Sequence, residues 1–295
     1  MSRKGWTLFI ALCVIWGMPY LLIRIAVRDV PPPALLLLRT APAALLLAPF
    51  VLRRARLRPL LEHWRWVVGY TLLELCIPWL ALSHAEERIS SSLAGLLVAS
   101  VPLVGAVMYR LAKLGDPFDA RRLVGLCVGF AGVVVLVGVD VSANDPLAVA
   151  EMGVVALCYA AGPLVISRHL STLPSLSVIT VSLILCAAIY TPAGIATMPS
   201  TISGSAIAAI ATLSLVCTVC AFLIFFALIR EVGPARSTVI TYVNPLVAVL
   251  LGVVFLSEPF TLGIALGMPL ILLGSVLGTA PNRLSPPIPT STRPG

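Results

Sequence analysis

Apolar residues in this chain fall into ten unbroken stretches, and polar residues gather in the short intervals between them. The stretches run over roughly 6–26, 33–52, 66–84, 90–112, 122–139, 149–168, 175–195, 206–229, 235–256 and 261–279. Each approaches the roughly 20 residues that an α-helix needs to cross a bilayer. A membrane β-barrel would alternate apolar and polar positions along every crossing, so continuous apolar runs exclude it. The pattern predicts an all-α polytopic membrane protein with ten transmembrane helices. Composition agrees: 59% hydrophobic residues, 11% charged residues and a mean hydropathy of +1.06 lie far outside the range of soluble domains.

The polar punctuation occurs twice. Gly115-Asp116-Pro117-Phe118, followed by Gly125 and Gly132, returns as Ser257-Glu258-Pro259-Phe260, followed by Gly267 and Gly274, at a spacing of 142. Pro102 returns as Pro245 at 143, and Ala11-Leu12-Cys13 with Gly17 returns as Ala156-Leu157-Cys158 with Gly162 at 145. Matches at nearly one spacing indicate a duplicated five-helix unit. Because five is odd, the two copies enter the membrane in opposite orientations, which is the architecture of secondary transporters that rock about a central site. The expected organisation is a cytoplasmic N-terminus at 1–5, a first repeat at 6–139, an outer linker at 140–148, a second repeat at 149–279 and a tail at 280–295. The tail is rich in Pro, Ser and Thr, a composition that predicts disorder.

Charge sets the orientation. With the N-terminus in the cytoplasm, sixteen of the twenty Lys and Arg residues fall on inner loops and tails, from Arg3 and Lys4 through Arg53, Arg54, Arg56, Arg58, Arg65, Arg110, Lys113, Arg121, Arg122, Arg168, Arg230 and Arg236 to Arg283 and Arg293. The outer side keeps Arg28 and Arg88 in loops and Arg24 and Arg39 inside outer helix ends. That asymmetry places both termini in the cytoplasm of a cell-membrane protein. The net charge of +8 is accounted for by this topology and gives no support for nucleic-acid binding. Arg3-Lys4 leads straight into a full-length span with no small-residue cleavage pattern, so the first helix is expected to be a retained anchor. All seven cysteines lie within spans, and the Cys217-Thr218-Val219-Cys220 spacing lacks the second Cys or His pair of a metal site. No metal or cofactor is expected.

Taken in order, Trp16-Gly17 in the first span, Leu38-Arg39 in the second, Ala94-Gly95-Leu96-Leu97 leading to Pro102, and Glu258-Pro259 between the last two helices resemble the EamA family of the drug/metabolite transporter superfamily. The resemblance covers residues 6 to 279. It implies two inverted five-helix repeats, a substrate cavity lined mainly by helices 1, 3, 4, 6, 8 and 9, and efflux of small metabolites such as amino acids.

Several polar residues inside the spans are candidates for that chemistry. A carboxylate facing lipid at the level of Glu74 would cost at least ~2.5 kcal/mol, so Glu74 should face a cavity. Pro78, four residues later, has no N–H for the Glu74 carbonyl, which leaves a free acceptor beside the carboxylate. That pair suits a cation, an amine or a proton, and Glu74 is the candidate for proton coupling; packing against a neighbouring helix is the plain alternative. Trp16, Pro19, Tyr20 and Arg24 share one face of the first helix. An aromatic stripe ending in a cation suits a carboxylate-bearing solute, and an aromatic belt with Arg24 snorkelling to the headgroups suits the same spacing. Arg39, about two turns into the second span, admits the same two readings, substrate contact or snorkelling, and the structural one is favoured. In the ninth span Thr238, Thr241, Tyr242 and Pro245 share a face beside Asn244, and Tyr159 with Pro163 forms a weaker version in the sixth. Pro78, Pro102 and Pro245 are hinge candidates. Phe222, Phe225 and Phe226 are read as packing. Gly125 with Gly129, Gly263 with Gly267 and Gly274 with Gly278 form small-xxx-small pairs that bring the fifth and tenth helices together, or else form a homodimer seam.

Three functions fit these residues. The first is a secondary active exporter of amino acids or related zwitterions, working by alternating access with a proton as coupling ion, as a monomer or homodimer. The second is efflux of cationic or lipophilic drugs, which needs the acid of Glu74 and not the cation of Arg24. The third is a membrane-embedded enzyme, for which the scattered His63, His84 and His169 offer little. No nucleotide-binding loop is present in the sequence, so ATP is not the expected energy source.

Overall fold

A computed structural model describes residues 2–51, 54–112, 120–139, 145–233, 237 and 239–279. The Gly115-Asp116-Pro117-Phe118 segment, Arg53, Lys113, Arg236, Thr238, positions 140–144 of the linker and the 280–295 tail, with Arg283 and Arg293, lie outside them. The described residues are helical and contain no strand. They form ten apolar helices: α1 (Arg3–Ala26), α2 (Pro32–Val51), α3 (Trp64–Ala85), α4 (Ser91–Leu111), α5 (Ala120–Gly138), α6 (Pro146–Leu170), α7 (Ser175–Ala196), α8 (Gly204–Val232), α9 (Ile240–Leu256) and α10 (Leu262–Gly278). The first eight are each long and apolar enough to cross a membrane. A short helix, Arg54–Glu62, precedes α3 where the sequence suggested only a basic loop, and Arg58 pairs with Glu62 one turn on at 3.3 Å.

Helix starts follow local chemistry. The Ser2, Ser90, Asp145 and Ser203 side chains each accept a backbone N–H from three residues on, at the starts of α1, α4, α6 and α8. Interior irregularities mark the centre. α3 and α8 each contain a π-helical turn, Leu72–Cys76 and Leu215–Cys220, and these turns fall at equivalent places in the two repeats. α4 is interrupted at Ala99–Ser100, just before Pro102. The Ala99 carbonyl freed there accepts the Ser275 hydroxyl of α10 at 3.1 Å. α9, by contrast, runs as one helix through Pro245, so the matched prolines do not produce matched breaks.

The packing has twofold character. α2 lies on α7, α5 on α10 and α4 on α9, each an exchange of equivalent helices; α1 against α9 is matched by α6 against α4, and α1 against α8 by α6 against α3. The α5–α10 seam is built from glycine. A Cβ on Gly125, Gly132 or Gly274 would meet the backbone of the other helix, so only hydrogen permits this approach. The small-residue pairs therefore serve contacts within one chain.

One asymmetry sets the shape of the centre. We call the end that holds the start of α1 the near end and the opposite one the far end. At the far end, α4 is buried throughout Ser91–Leu97 and packs on α1, α6 and α9. The near half, Val101–Leu111, buries only Leu103 and packs chiefly on α6 and α10.

Candidate substrate site

Glu74 occupies the π-turn of α3, where the extra residue per turn projects it towards α6. It is half-buried, and its Oε2 is enclosed without a hydrogen-bond partner. It lies against Gly162, where any Cβ would overlap the carboxylate. Tyr70, one turn earlier, and Tyr159 and Cys158 of α6 complete its electrostatic surroundings. Pro78 is buried one turn beyond.

Tyr159 links this acid to a second group. Its hydroxyl lies against Trp79 and feels both Glu74 and Arg39. Arg39, two turns into α2, is 6% exposed and lies 3.6 Å above the Trp79 ring. Such stacking in a dry setting contributes about 2 kcal/mol. Its Nε donates to the Thr218 hydroxyl at 3.4 Å, inside the π-turn of α8. Arg39 is thus buried in the central layer, away from the headgroup level that a snorkelling cation would reach. Tyr20, also buried, senses Tyr159, Arg39 and Glu86.

The first-helix stripe divides. Trp16 packs on Phe225 and Phe222 of α8, with ring centroids 4.9 and 6.0 Å apart. Arg24 instead lines a far-end cavity of about 340 Å³ with Arg28, Arg88, Ser90 and Glu258, and donates to the main-chain carbonyl of Glu86. In α9, Asn244 joins α9 to α1: with its amide oriented to meet both carbonyls, the nitrogen donates to Cys13 at 3.2 Å and Ile240 at 3.1 Å. Thr241 is exposed and Tyr242 half-buried, both towards the near end. Glu74, Tyr159 and Tyr20 therefore share one central layer, whereas Thr241, Tyr242 and Asn244 lie apart from it.

Glu86 is absent from the sequence-derived candidates. It sits one residue past α3 and is fully buried, with neither carboxylate oxygen hydrogen-bonded. Burial pushes its carboxyl well above the ordinary carboxylate range; Glu258 adds to the push, and Arg24 and Arg39 oppose it. A sequence signal does exist, because Trp79, Leu82 and Glu86 follow one helical face past the end of the apolar run.

The far end is latched across the bundle. Glu258 follows Ser257, whose left-handed backbone (φ 54°) turns the chain after α9. Its carboxylate caps α4, accepting the main-chain N–H groups of Ser91 and Ser92 at 2.8 and 2.9 Å and their hydroxyls at 3.0 and 2.5 Å. A carboxylate at a helix N-terminus meets both orphan donors and the positive end of the dipole. Arg24 to Glu86 makes a second tie across the centre. Beside them, His84 and Arg88 hold Glu151 of α6. The Ser203 hydroxyl and then its main-chain N–H keep the Asp29 carboxyl below its ordinary value. Among the described residues, two near-end ties join helices on the same side of the bundle. Ser2 donates to Glu231 at 2.6 Å between α1 and α8, and Trp66 stacks on His169 at 3.4 Å between α3 and α6.

A profile of the EamA-like transporter family matches residues 3–138 and again 149–279, one match for each half. The chain belongs to the EamA family. It is accordingly a multi-pass membrane protein of two inverted five-helix repeats. Among EamA relatives, an uncharacterized inner membrane transporter of Escherichia coli K12, YedA, is 31% identical over 95% of this chain and 92% of its own length. The uncharacterized transporter YvbV of Bacillus subtilis is 24% identical over 88% and 87%. A solved crystal structure with 21% identity superposes with a TM-score of 0.66 over 95% of this chain and 97% of its own, a likeness of fold.

Proposed function

We propose that this membrane transporter exports small zwitterionic metabolites, amino acids or close relatives, by alternating access with the proton as coupling ion. The observation that carries this reading is the central layer itself, where a carboxylate with an enclosed, unpartnered oxygen shares one layer with a buried guanidinium and three aromatic side chains. Glu74 is the proton-coupling residue and, with Trp16, Tyr20 and Tyr159, part of the substrate path. Thr241, Tyr242 and Asn244 belong to its near-end approach, and Arg24 holds an anionic group at the far mouth. The moving units are the halves 6–139 and 149–279, joined by the 140–148 linker. Pro78, Pro102 and Pro245 serve as hinges, with the hydrogen-bond break before Pro102 as the most direct support. Both termini, 1–5 and 280–295, face the cytoplasm, so the far end opens outward.

Efflux of cationic drugs is the competing reading, since Glu74 beside the aromatic cluster of Trp16 and Phe225 suits an organic cation. The buried cation of Arg39 weighs against it. Uptake into inverted membrane vesicles, from cells with and without the protein, separates the two with labelled amino acids and a cationic dye. Protein-dependent uptake of amino acids is expected. Uptake of the dye alone overturns the zwitterion reading.

A further inference from the structure

We infer that Arg39 and Glu86 are the two poles of an occluded zwitterion site, Arg39 receiving the carboxylate and Glu86 the ammonium group. The inference rests on the transporter reading above and names the residues that hold the substrate's charged head. Both side chains are withdrawn from solvent, Arg39 at 6% exposure and Glu86 at 0%. Arg39 has five N–H donors in a fixed fork. One makes a long bond to Thr218, whose own hydroxyl donates to the Leu213 carbonyl at 2.8 Å. Among the described residues no carboxylate lies within 4.0 Å of the Arg39 guanidinium.

Glu86 is its mirror image. Neither carboxylate oxygen has a partner, and Arg24, the cation best placed to pair with it, donates to the Glu86 main-chain carbonyl instead. The two opposite charges sense each other, and both sense Tyr20, yet they do not form an ion pair. Leaving a buried charge without a direct partner is costly on each side. Buried polar atoms with open valences call for a water, an ion or a ligand.

A zwitterion satisfies both poles at once. In an α-amino acid the ammonium and carboxylate are borne on one carbon, so the head group offers a partner to each pole while its side chain lies along Trp79, Tyr20 and Tyr159. A carboxylate alone answers Arg39 and leaves Glu86 open. An amine alone does the reverse. The arrangement therefore rejects singly charged analogues because each leaves one buried group unpaired.

The test uses the purified full-length protein in nanodiscs, with thermal-shift and equilibrium binding of each of the twenty common L-amino acids. Any that binds is compared with its amide, which keeps only the cation, and its des-amino acid, which keeps only the anion. The parent should bind the amino acid at least tenfold tighter than either analogue. Arg39→Gln should lose tenfold or more for the amino acid while binding the amide as the parent does, and Glu86→Gln should do the same with the des-amino acid spared. Should Arg39→Gln fail to fold, Arg39→Lys keeps the charge without the fork and should still weaken amino-acid binding. Unchanged affinity and unchanged analogue ranking in folded Arg39→Lys and Glu86→Gln would overturn the assignment. So would a parent that prefers a singly charged analogue or binds no amino acid. Protein-dependent vesicle uptake of another solute would then leave the transporter reading standing.

Discussion

Gly162 is where the centre is least forgiving, because the hydrogen on its α-carbon is all that separates α6 from the Glu74 carboxylate. Gly162→Ala forces that acid out of its place, and a displacement of this kind in a packed core costs typically 1–3 kcal/mol. The expected outcome is protein of near-normal abundance with transport reduced by tenfold or more, measured by vesicle uptake. Arg24 offers a second test at this scale. It lines the far-end cavity, so Arg24→Gln should weaken transport of carboxylate-bearing solutes more than of cations, and equal loss for both would assign it a purely structural role at the end of α3. These side chains differ in how far the sequence exposes them. Glu74 is legible because an acid in mid-span has few tolerable places to go. Arg39 is ambiguous in one dimension, since the spacing that allows snorkelling also allows burial, and only the neighbouring Trp79 and Thr218 decide. Glu86 reads as a loop residue until the fold covers it. Asn244 reads as a ligand group, and its amide's reach to the Cys13 carbonyl of α1 shows only once the helices are packed.

At the scale of the helix, α5 and α10 form the scaffold, and their glycines fix how closely it closes. Gly274→Leu places a branched side chain where the backbone of Gly129 now runs, so the seam must open along its length. We expect a lower unfolding temperature and a loss of monodisperse protein on gel filtration, with no new dimer formed, because this seam is internal. Glu258 governs the other end of α4. Glu258→Gln keeps the shape but removes the charge that four donors from Ser91 and Ser92 now share. The far-end latch should loosen, seen as faster hydrogen exchange at Ser91–Leu93 with little change in α5 or α10. The crossings themselves were legible, because apolar run lengths are set by bilayer thickness: 175–195 was expected and Ser175–Ala196 is found. Less visible were the π-turns of α3 and α8, which depend on a hydrogen-bond register that hydropathy does not report. The Arg54–Glu62 helix escaped for a related reason, as its basic composition matches an inner loop equally well.

Over the whole molecule, two equivalent halves are joined by ties that the described residues show at both ends. Among the described residues, Glu258 and Arg24 tie the far end across the centre, and Ser2 to Glu231 joins neighbours on one side of the near end. A duplicated chain latched at its far end is the ground on which we propose alternating access between two inverted halves. The duplication was legible from glycine and proline spacing alone; that Glu258 would cap α4 was not, because the contact arises only in the folded conformation. In a cysteine-free background, a cysteine at Thr241 should react with a hydrophilic maleimide from the near side, and one at Ser92 should remain protected until substrate is cycling. The most direct test of the account is uptake of a labelled amino acid into inverted vesicles with an acidic lumen, comparing the parent with Glu74→Gln. Glu74→Gln keeps the shape of the protonated acid, so the account predicts normal insertion and abundance, with uptake that no longer varies with pH or responds to the imposed proton gradient. A variant as active as the parent, with the parent's pH profile and the same response to the gradient, would contradict it.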